Sequence, residues 1–274
     1  MPEIPDLEVI RRFLNERLLG KEITRAAELR PAMVRSLAGE DFAADVIGRR
    51  FGTLTRRGKM LTLPLEPGRL LVVHPMLTGA FQYCDPTAKV AKRAFFYLGG
   101  EGFDLRYIDE KQMGLVYYVR PEQLSLVPRY DDQGPDALDA GLTYEQLVAR
   151  LKPYQGEIKG ILTRGEFIAG IGNAYVDEIL WEARVSPFKR RKALTEDDLR
   201  SIHAAIPKVL NEAIDVLRER MVPDIHVKVR DFLKVHRKGG EPCPRCGHPI
   251  SELTPNQRIT SYCRHCQPGS LLKN

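Results

Sequence analysis

Two groups of residues at opposite ends of the chain have types and spacing that could do chemistry. The chain begins Met1-Pro2-Glu3, so removal of Met1 would leave Pro2 with a free secondary amine and a carboxylate beside it. An N-terminal amine titrates near pH ~7.7–8.0, so a useful fraction is unprotonated and nucleophilic in a cell. If Met1 is retained, the Pro2 nitrogen is a tertiary amide and cannot attack. Pro2 is therefore a candidate nucleophile in the processed chain.

The second group is four cysteines near the other end. Cys243 and Cys246 form one Cys-x2-Cys pair, Cys263 and Cys266 form another, and sixteen residues separate the pairs. This spacing is typical of a four-thiolate zinc site. Because four protein ligands close the coordination sphere, we expect one structural Zn²⁺ rather than a catalytic ion. Arg258 is expected near the tip of the intervening hairpin, where a guanidinium could bind phosphate.

Composition narrows the class of protein only modestly. The 274 residues carry 42 Lys and Arg against 36 Asp and Glu, a net charge of +6. A basic surface attracts phosphates, but ordinary solubility explains the same charge. No apolar run of transmembrane length or secretory segment occurs, and the cysteine pairs fit a reducing compartment. We therefore expect a cytoplasmic protein with no membrane partner, and a monomer because no heptad or interface stripe is present.

The elements that must position these groups change character along the chain. Residues 5–19 read as a helix because Leu7, Ile10, Leu14 and Leu18 share one face. From about residue 21 to 130 the pattern becomes short apolar strands separated by turn residues. The clearest strands are residues 61–65, 70–73, 94–98 and 114–119. This region is expected to form a β-sandwich or barrel preceded by a helix.

After a polar, turn-rich stretch at residues 131–141, helix signals dominate. A long helix is expected over residues 196–220, where apolar residues recur at three and four positions. We therefore divide the chain into an N-terminal domain (1–130), a linker (131–141), a helical domain (142–236) and a zinc ribbon (237–274). The predicted fold class is α+β multidomain.

Five motifs occur in the order typical of the formamidopyrimidine-DNA glycosylase/endonuclease VIII family, and the chain resembles that family over nearly its whole length. The motifs are Pro2–Glu8, Arg56–Lys59, His74–Gly79, Gly170–Glu178, and the cysteine ribbon with Arg258. The resemblance implies a helix–two-turn–helix in the helical domain and binding of damaged double-stranded DNA. It also implies a bifunctional DNA glycosylase/AP lyase of base-excision repair.

The resemblance also implies roles for individual residues. Pro2 would attack C1′ of the damaged nucleotide, Glu3 would act as general acid on the sugar, and Lys59 and Arg258 would hold phosphates at the site. These four residues are the expected catalytic set.

A second set is expected to bind the DNA itself. Lys159 and Asn173 would grip the backbone. Leu77, with Met76 beside it, would fill the space left by an extruded nucleotide.

Two features depart from the family pattern. Members that excise 8-oxoguanine usually carry Arg-Arg-Phe-Gly in the loop that faces the opposite base, and this chain has Lys111-Gln-Met113-Gly. Lysine cannot make the bidentate contact that arginine makes. The segment from Val222 to Glu241, where the purine-specific branch has a base-capping loop, is also short. We therefore expect oxidised pyrimidines or abasic sites rather than strictly 8-oxoguanine.

Two other classes of protein remain open from the sequence. A family member that binds distorted or branched DNA without cutting it would explain the altered loop at Lys111 and Met113. An RNA-associated zinc-ribbon protein would require the Pro2-Glu3 pair to be a coincidence. The intact set of Pro2, Glu3 and Lys59 favours the enzyme.

Overall fold

The computed structural model describes residues 1–30, 33–254 and 258–269, and the chain divides into two compact units. The first comprises Met1–Asp131 with Ile214–Val229, and the second comprises Asp132–Ala213 with Arg230–Asn274. No helix of the described residues has the length and apolar character needed to cross a membrane.

The first unit begins with α1 (Ile4–Leu18), which confirms the predicted leading helix. Its apolar stripe is buried: Leu7, Leu14 and Leu18 are fully inaccessible and Ile10 is 3% exposed. Glu3 is the N-cap residue, in an extended backbone conformation. The N-terminal residues are therefore anchored by a packed helix.

Two sheets follow α1 in the first unit. The described residues form a four-stranded sheet and a six-stranded sheet. The first has the order β1 (Arg25–Glu28), β8 (Ala94–Gly100), β9 (Phe103–Asp109) and β7 (Gly79–Cys84). The second has the order β2 (Val34–Ser36), β10 (Leu115–Val119), β6 (Arg69–His74), β5 (Met60–Glu66) and β3 (Arg50–Phe51), with β4 (Thr55–Arg57) also paired to β5.

Aromatic packing joins the two sheets into a sandwich. Phe42, from the short helix α2 (Phe42–Asp45), makes edge-to-face contacts with Phe96 of β8 and Tyr118 of β10, at ring-centroid distances of 5.6 and 5.2 Å. A 3₁₀ turn, η1 (Pro121–Leu126), follows β10, and its Leu124 packs against a buried cluster that includes Val72 and Tyr117. Buried aromatic area of this kind supplies much of the core energy.

The second unit is helical and ends in a ribbon. Its helices are α3 (Tyr144–Leu151), α4 (Ile158–Leu162), α5 (Asn173–Glu182) and α6 (Glu196–Met221), with η2 (Arg191–Ala193) before α6. Strands β11 (Ser251–Leu253) and β12 (Thr260–Tyr262) pair antiparallel. The last residues of α6, from Ile214, belong to the first unit.

The expected fold class is confirmed: a β-sandwich with a leading helix, a helical region, and a four-cysteine ribbon. The domain boundaries drawn from the sequence stay a prediction. They differ from the two compact units at residues 214–229, which the sequence division assigned to the helical domain.

Candidate active site and nucleic-acid interface

Pro2 and Glu3 are held at the N-terminus of α1. Glu3 is 3% exposed, and its backbone N–H donates to Asp6 Oδ2 at 2.8 Å. Pro2 is half-buried and lines a cavity together with Asp6 and Ile10 of the same helix. The N-terminal residues are thus held in a defined position by α1 and do not form a flexible extension.

Two other segments of the first unit line the Pro2 cavity. One is the loop after β6 with the start of β7, including Leu77, and the other follows α6 and includes His226 and Lys228. The sequence shows that this second segment is short, but it singles out neither His226 nor Lys228. His226 and Lys228 are both exposed, so nothing in an apolar periodicity could have identified them.

Lys59 lies in the two-residue turn between β4 and β5. The turn is tight, and Gly58 takes a left-handed φ of 55°. Arg56 donates to the Gly58 carbonyl at 3.1 Å and also reaches Glu8 Oε2 of α1 at 3.3 Å. This arginine therefore ties the Lys59 turn to the helix that carries the N-terminus.

Glu8 stays anionic across the physiological range. Burial alone would raise the pKa of its carboxyl, but hydrogen bonds from Arg11 and Arg12 and the charges of Arg11 and Arg56 outweigh it and lower the pKa to about 2. A carboxyl with so low a pKa is a poor proton donor near pH 7. Glu8 is therefore an anchor for Arg56 rather than an acid.

His74, at the end of β6, is a neutral hydrogen-bond acceptor. Burial and then the charge of Lys59 lower the pKa of its imidazole to about 4. Its Nδ1 accepts the backbone N–H of Met76 at 3.1 Å. His74 thereby shapes the loop that presents Leu77, whose side chain is 42% exposed.

The loop after β9 holds the other expected DNA contacts. Lys111 is exposed, and Met113 is 42% exposed. The first unit therefore brings Pro2 and Leu77 to one cavity, with Glu3 buried next to Pro2 in the chain. It presents Lys59, Met76, Lys111 and Met113 on turns and loops of its sandwich.

Lys159, in the second unit, has surroundings unlike those expected of a lysine that faces DNA. It is 8% exposed. Its Nζ donates to the Ile259 carbonyl at 2.7 Å and to Thr260 Oγ1 at 2.8 Å, and lies 2.8 Å from Asp177 Oδ1. The ammonium is thus hydrogen-bonded to two oxygens of the ribbon and ion-paired with a carboxylate of α5. The sequence pattern showed the charge of Lys159 but not its long-range partners.

Asn173 and Arg258 lie at the same junction of helix and ribbon. Asn173 begins α5 after the N-cap Gly172, and its side-chain amide donates to the Ile259 carbonyl at 2.9 Å. Arg258, which precedes Ile259, is exposed. Residues 255–257, which belong to the hairpin expected over residues 254–261, lie outside the described residues. A helix start beside an exposed guanidinium is suited to an anion.

Two buried carboxylates of α5 hydrogen-bond to the ribbon and to the residues that lead into it. Asp177 Oδ2 lies 2.7 Å from His236 Nδ1 and accepts the Ser261 backbone N–H at 3.2 Å. Glu178 accepts the backbone N–H groups of Lys234, Val235 and His236 at 2.8–2.9 Å. Neither carboxylate was given a role from the sequence, although both lie within the Gly170–Glu178 motif.

The four cysteines fit a zinc ion. Their Sγ atoms lie within 4.8 Å of one another, with Cys243 to Cys266 at 3.9 Å and Cys246 to Cys263 at 3.5 Å. Tetrahedral zinc with Zn–S distances of ~2.3 Å requires sulfurs about 3.8 Å apart. Trp181 Nε1 lies 3.4 Å from Cys243 Sγ, as expected of a donor to a thiolate. The predicted structural zinc site is confirmed.

Models of known families match three successive parts of the chain. The formamidopyrimidine-DNA glycosylase N-terminal domain matches residues 1–116, and the formamidopyrimidine-DNA glycosylase H2TH domain matches residues 133–222. The zinc finger found in FPG and IleRS matches residues 240–269. A β-sandwich, a helix–two-turn–helix and a zinc ribbon in this order define a class of DNA-repair glycosylase.

Individual relatives agree with the family models. The formamidopyrimidine-DNA glycosylase of Symbiobacterium thermophilum is 34% identical over 277 residues, covering 98% of this chain and 90% of that protein. That of Desulforamulus reducens is 33% identical over 275 residues, covering 97% and 99%. A solved complex between Lactococcus lactis Fpg and DNA containing an abasic site has a TM-score of 0.88 at 27% identity, covering 98% and 100%. The chain belongs to the formamidopyrimidine-DNA glycosylase family of base-excision repair.

Proposed function

We propose that this protein is a bifunctional DNA glycosylase/AP lyase that acts on damaged double-stranded DNA, with Pro2 as its nucleophile after removal of Met1. The observation that carries the proposal is the cavity at the start of α1, which has Pro2 on one wall and Leu77 on another. A nucleophile beside an exposed apolar side chain suits a nucleotide that has left the base stack. The family membership supports the same reaction.

The chemistry follows from a secondary amine. The Pro2 nitrogen attacks C1′ while the bond from C1′ to the base breaks, and the base leaves with a proton. Glu3 protonates O4′ as the sugar ring opens, which leaves an iminium between Pro2 and C1′. The iminium acidifies the C2′ proton, whose loss expels the 3′ phosphate by β-elimination. A second elimination expels the 5′ phosphate, and water then releases the sugar fragment and restores the amine.

Each of the two units offers its own groups for binding phosphate. Lys59 supplies a compact cation from a tight turn, and Arg258 with the α5 start at Asn173 supplies donors from the ribbon junction. Lys159 serves this grip indirectly, because its ammonium is bonded to the residues that follow Arg258. The zinc ion crosslinks the ribbon and takes no part in the bond-breaking steps.

The preferred lesion is an oxidised pyrimidine or an abasic site rather than strictly 8-oxoguanine. Lys111 offers one point charge to an opposite base, where an arginine would offer a bidentate fork. Among the described residues, the segment from Val222 to Glu241 contains no helix or strand. The curated relatives named above are called formamidopyrimidine-DNA glycosylases, so a formamidopyrimidine duplex is the most informative competitor.

The test is strand scission with borohydride trapping. Protein whose Met1 removal has been verified by mass is mixed with duplexes containing an abasic site, thymine glycol, formamidopyrimidine or 8-oxoguanine. We expect scission and a trapped adduct, strongest on the abasic and thymine glycol duplexes, and both lost in Pro2→Gly. Tight binding with no scission on any duplex would contradict the enzyme and favour a non-cleaving binder of distorted or branched DNA.

The proposal includes a monomeric, cytoplasmic protein with domains at 1–130, 142–236 and 237–274. Light scattering after size-exclusion chromatography tests the first part, with a mass near 31.1 kDa expected. A concentration-independent dimer mass would contradict it.

A further inference from the structure

Two loops cross between the sheets of the sandwich at the same end. Residues 75–78 join β6 to β7, and residues 110–114 join β9 to β10. Both loops run between the six-stranded and the four-stranded sheet. Their ends are paired in register, since His74 lies opposite Leu115 and Gly79 lies opposite Asp109. The topology therefore places the two crossings side by side.

Each loop presents one exposed apolar residue directly after a residue in the left-handed region. Met76 has a φ of 50° and precedes Leu77, and Gln112 has a φ of 54° and precedes Met113. Leu77 and Met113 are each 42% exposed. Left-handed conformations are uncommon for residues with a Cβ, and they persist where surrounding contacts fix the backbone. The two loops thus share one local feature, a left-handed residue directly before the exposed apolar side chain.

One buried carboxylate is bonded to both loops. Asp109 is fully inaccessible. Its Oδ1 accepts the Thr78 hydroxyl of the first loop and the Lys111 backbone N–H at 3.2 Å. Its Oδ2 accepts the backbone N–H groups of Met113 at 2.9 Å and Gly114 at 2.6 Å. The Lys111 N–H also donates to Thr78 Oγ1 at 2.9 Å. We call these five residues the Asp109 clasp.

Tyr107 packs against the same two loop ends. A Cβ added to Gly79 or to Gly114 would lie 2.1 Å from the Tyr107 hydroxyl oxygen, so both backbones approach this ring too closely for any other residue. Burial, and then the charge of Asp109, raise the pKa of Tyr107. The loops are therefore packed around one ring as well as bonded to one carboxylate.

We propose that Asp109 is a positioning residue that holds Leu77 and Met113 together as one preformed, two-pronged wedge. A carboxylate that accepts from both loops couples their conformations, so neither tip has to be ordered when DNA binds. This inference rests on the proposed function, because the wedge serves to replace a nucleotide extruded from a duplex. It assigns Asp109 no contact with the substrate.

Thr78→Val and Asp109→Asn test the clasp. Asparagine has only one acceptor oxygen, so it cannot replace both carboxylate oxygens of Asp109, each of which accepts hydrogen bonds. Valine removes the Thr78 hydroxyl at nearly constant volume. Thr78→Ser keeps the hydroxyl and should restore native behaviour. Asp104→Asn is the matched control, since Asp104 is a 3%-exposed carboxylate of the same strand that bonds to Arg106 rather than to the loops.

Comparing two substrates separates a loss of wedge positioning from a general loss of folded protein. An abasic site in a duplex requires the wedge, whereas a single-stranded abasic oligonucleotide has no stack to fill. For Asp109→Asn and Thr78→Val we expect single-turnover scission of the duplex to fall about 10- to 100-fold. Scission of the single strand should change by less than about twofold. Equal losses on both substrates, or no loss on the duplex in a folded variant, would overturn the proposal.

A binding measurement tests the positioning role of Asp109 separately from the proposed catalytic activity. With 2-aminopurine opposite the abasic site, native protein should raise the fluorescence by unstacking that base, and both clasp variants should not. This fluorescence signal needs no cleavage, so it tests the positioning role of Asp109 even if native protein cuts neither substrate. Failure of native protein to cut would count against the proposed function alone. If Asp109→Asn does not fold, the contrast between Thr78→Val and Thr78→Ser decides, and identical behaviour of those two variants would refute the clasp.

Discussion

Replacing Lys159 with methionine should loosen the zinc ribbon rather than remove a DNA contact. The Lys159 ammonium is bonded to the Ile259 carbonyl and the Thr260 hydroxyl, and it is paired with Asp177, which is 1% exposed. Methionine keeps a similar length but has no donor. The change therefore leaves a buried carboxylate without its cation.

The size of the effect follows from this burial. Breaking one side of a buried ion pair costs about 3–5 kcal/mol. Asp177 keeps its contacts with His236 Nδ1 at 2.7 Å and the Ser261 N–H at 3.2 Å, so we expect the lower end of that range, about 3 kcal/mol. The double variant Lys159→Met/Asp177→Asn removes the stranded charge, and it should recover about 1 kcal/mol or more.

The single tryptophan reports on this part of the chain. Trp181 lies on α5 and contacts Cys243, so its fluorescence during guanidinium unfolding follows the second unit. Lys189→Met is the matched control. Lys189 Nζ lies 2.6 Å from Asp198, but its side chain is 30% exposed, so its loss should cost only about 0.2–1 kcal/mol.

The salt dependence of DNA affinity distinguishes structural support of the ribbon by Lys159 from a contact between Lys159 and a phosphate. Each phosphate that a lysine neutralises contributes about 0.9 to the slope of log affinity against log salt. Under conditions where the Lys159→Met protein is folded, we expect the native slope. An unchanged Trp181 unfolding transition together with a salt slope smaller by about 0.9 would show that Lys159 contacts a DNA phosphate, as the sequence predicted, and does not support the ribbon.

Three further predictions concern the ribbon, one imidazole and one carboxylate. Chelating zinc, or Cys246→Ser, should red-shift Trp181 emission and abolish DNA binding while far-ultraviolet circular dichroism keeps its strand signal; unchanged emission would contradict a structural ion. His74 has a folded pKa of about 4, below its unfolded value, so its contribution to stability is complete above pH ~6.5 and is lost as the pH falls toward 4. The unfolding free energy of native protein minus that of His74→Gln should therefore drop by about 3 kcal/mol across this window, and a constant difference would argue against a neutral imidazole. Glu8 has a folded pKa of about 2, so the stability that Glu8→Gln removes at pH 7 should fade between pH ~4.5 and 2, as denaturant titrations of both proteins would reveal.

Periodicity was sufficient for the helices and for part of the sandwich. The apolar spacing of Leu7 and Leu14 predicted α1, and that of Ile202 and Leu210 predicted α6, because a helix buries one stripe of its surface. β9 did not stand out as a strand because Asp104 and Arg106 interrupt its apolar pattern. In the structure these two form a buried ion pair, and neither is more than 3% exposed.

Motif and spacing predicted which residues to examine, but not how each is bonded. The cysteine spacing was enough for the metal site, since four thiolates within one ribbon leave few arrangements. The partners of Lys159 lie 100 residues away in sequence, at Ile259 and Thr260, so no local pattern could show that its charge is buried. The bonds of Asp109 to Thr78 likewise depend on a register between β7 and β9 that only the folded sheet defines.

The proposed mechanism depends above all on the covalent bond between the Pro2 amine and the sugar. The most direct measurement is peptide mapping of the borohydride-trapped adduct on an abasic duplex, using protein verified to lack Met1. We expect the sugar mass on the N-terminal peptide, with fragmentation assigning it to the Pro2 nitrogen. An adduct on Lys59 or another lysine, or no adduct in protein that still cuts the duplex, would contradict the account.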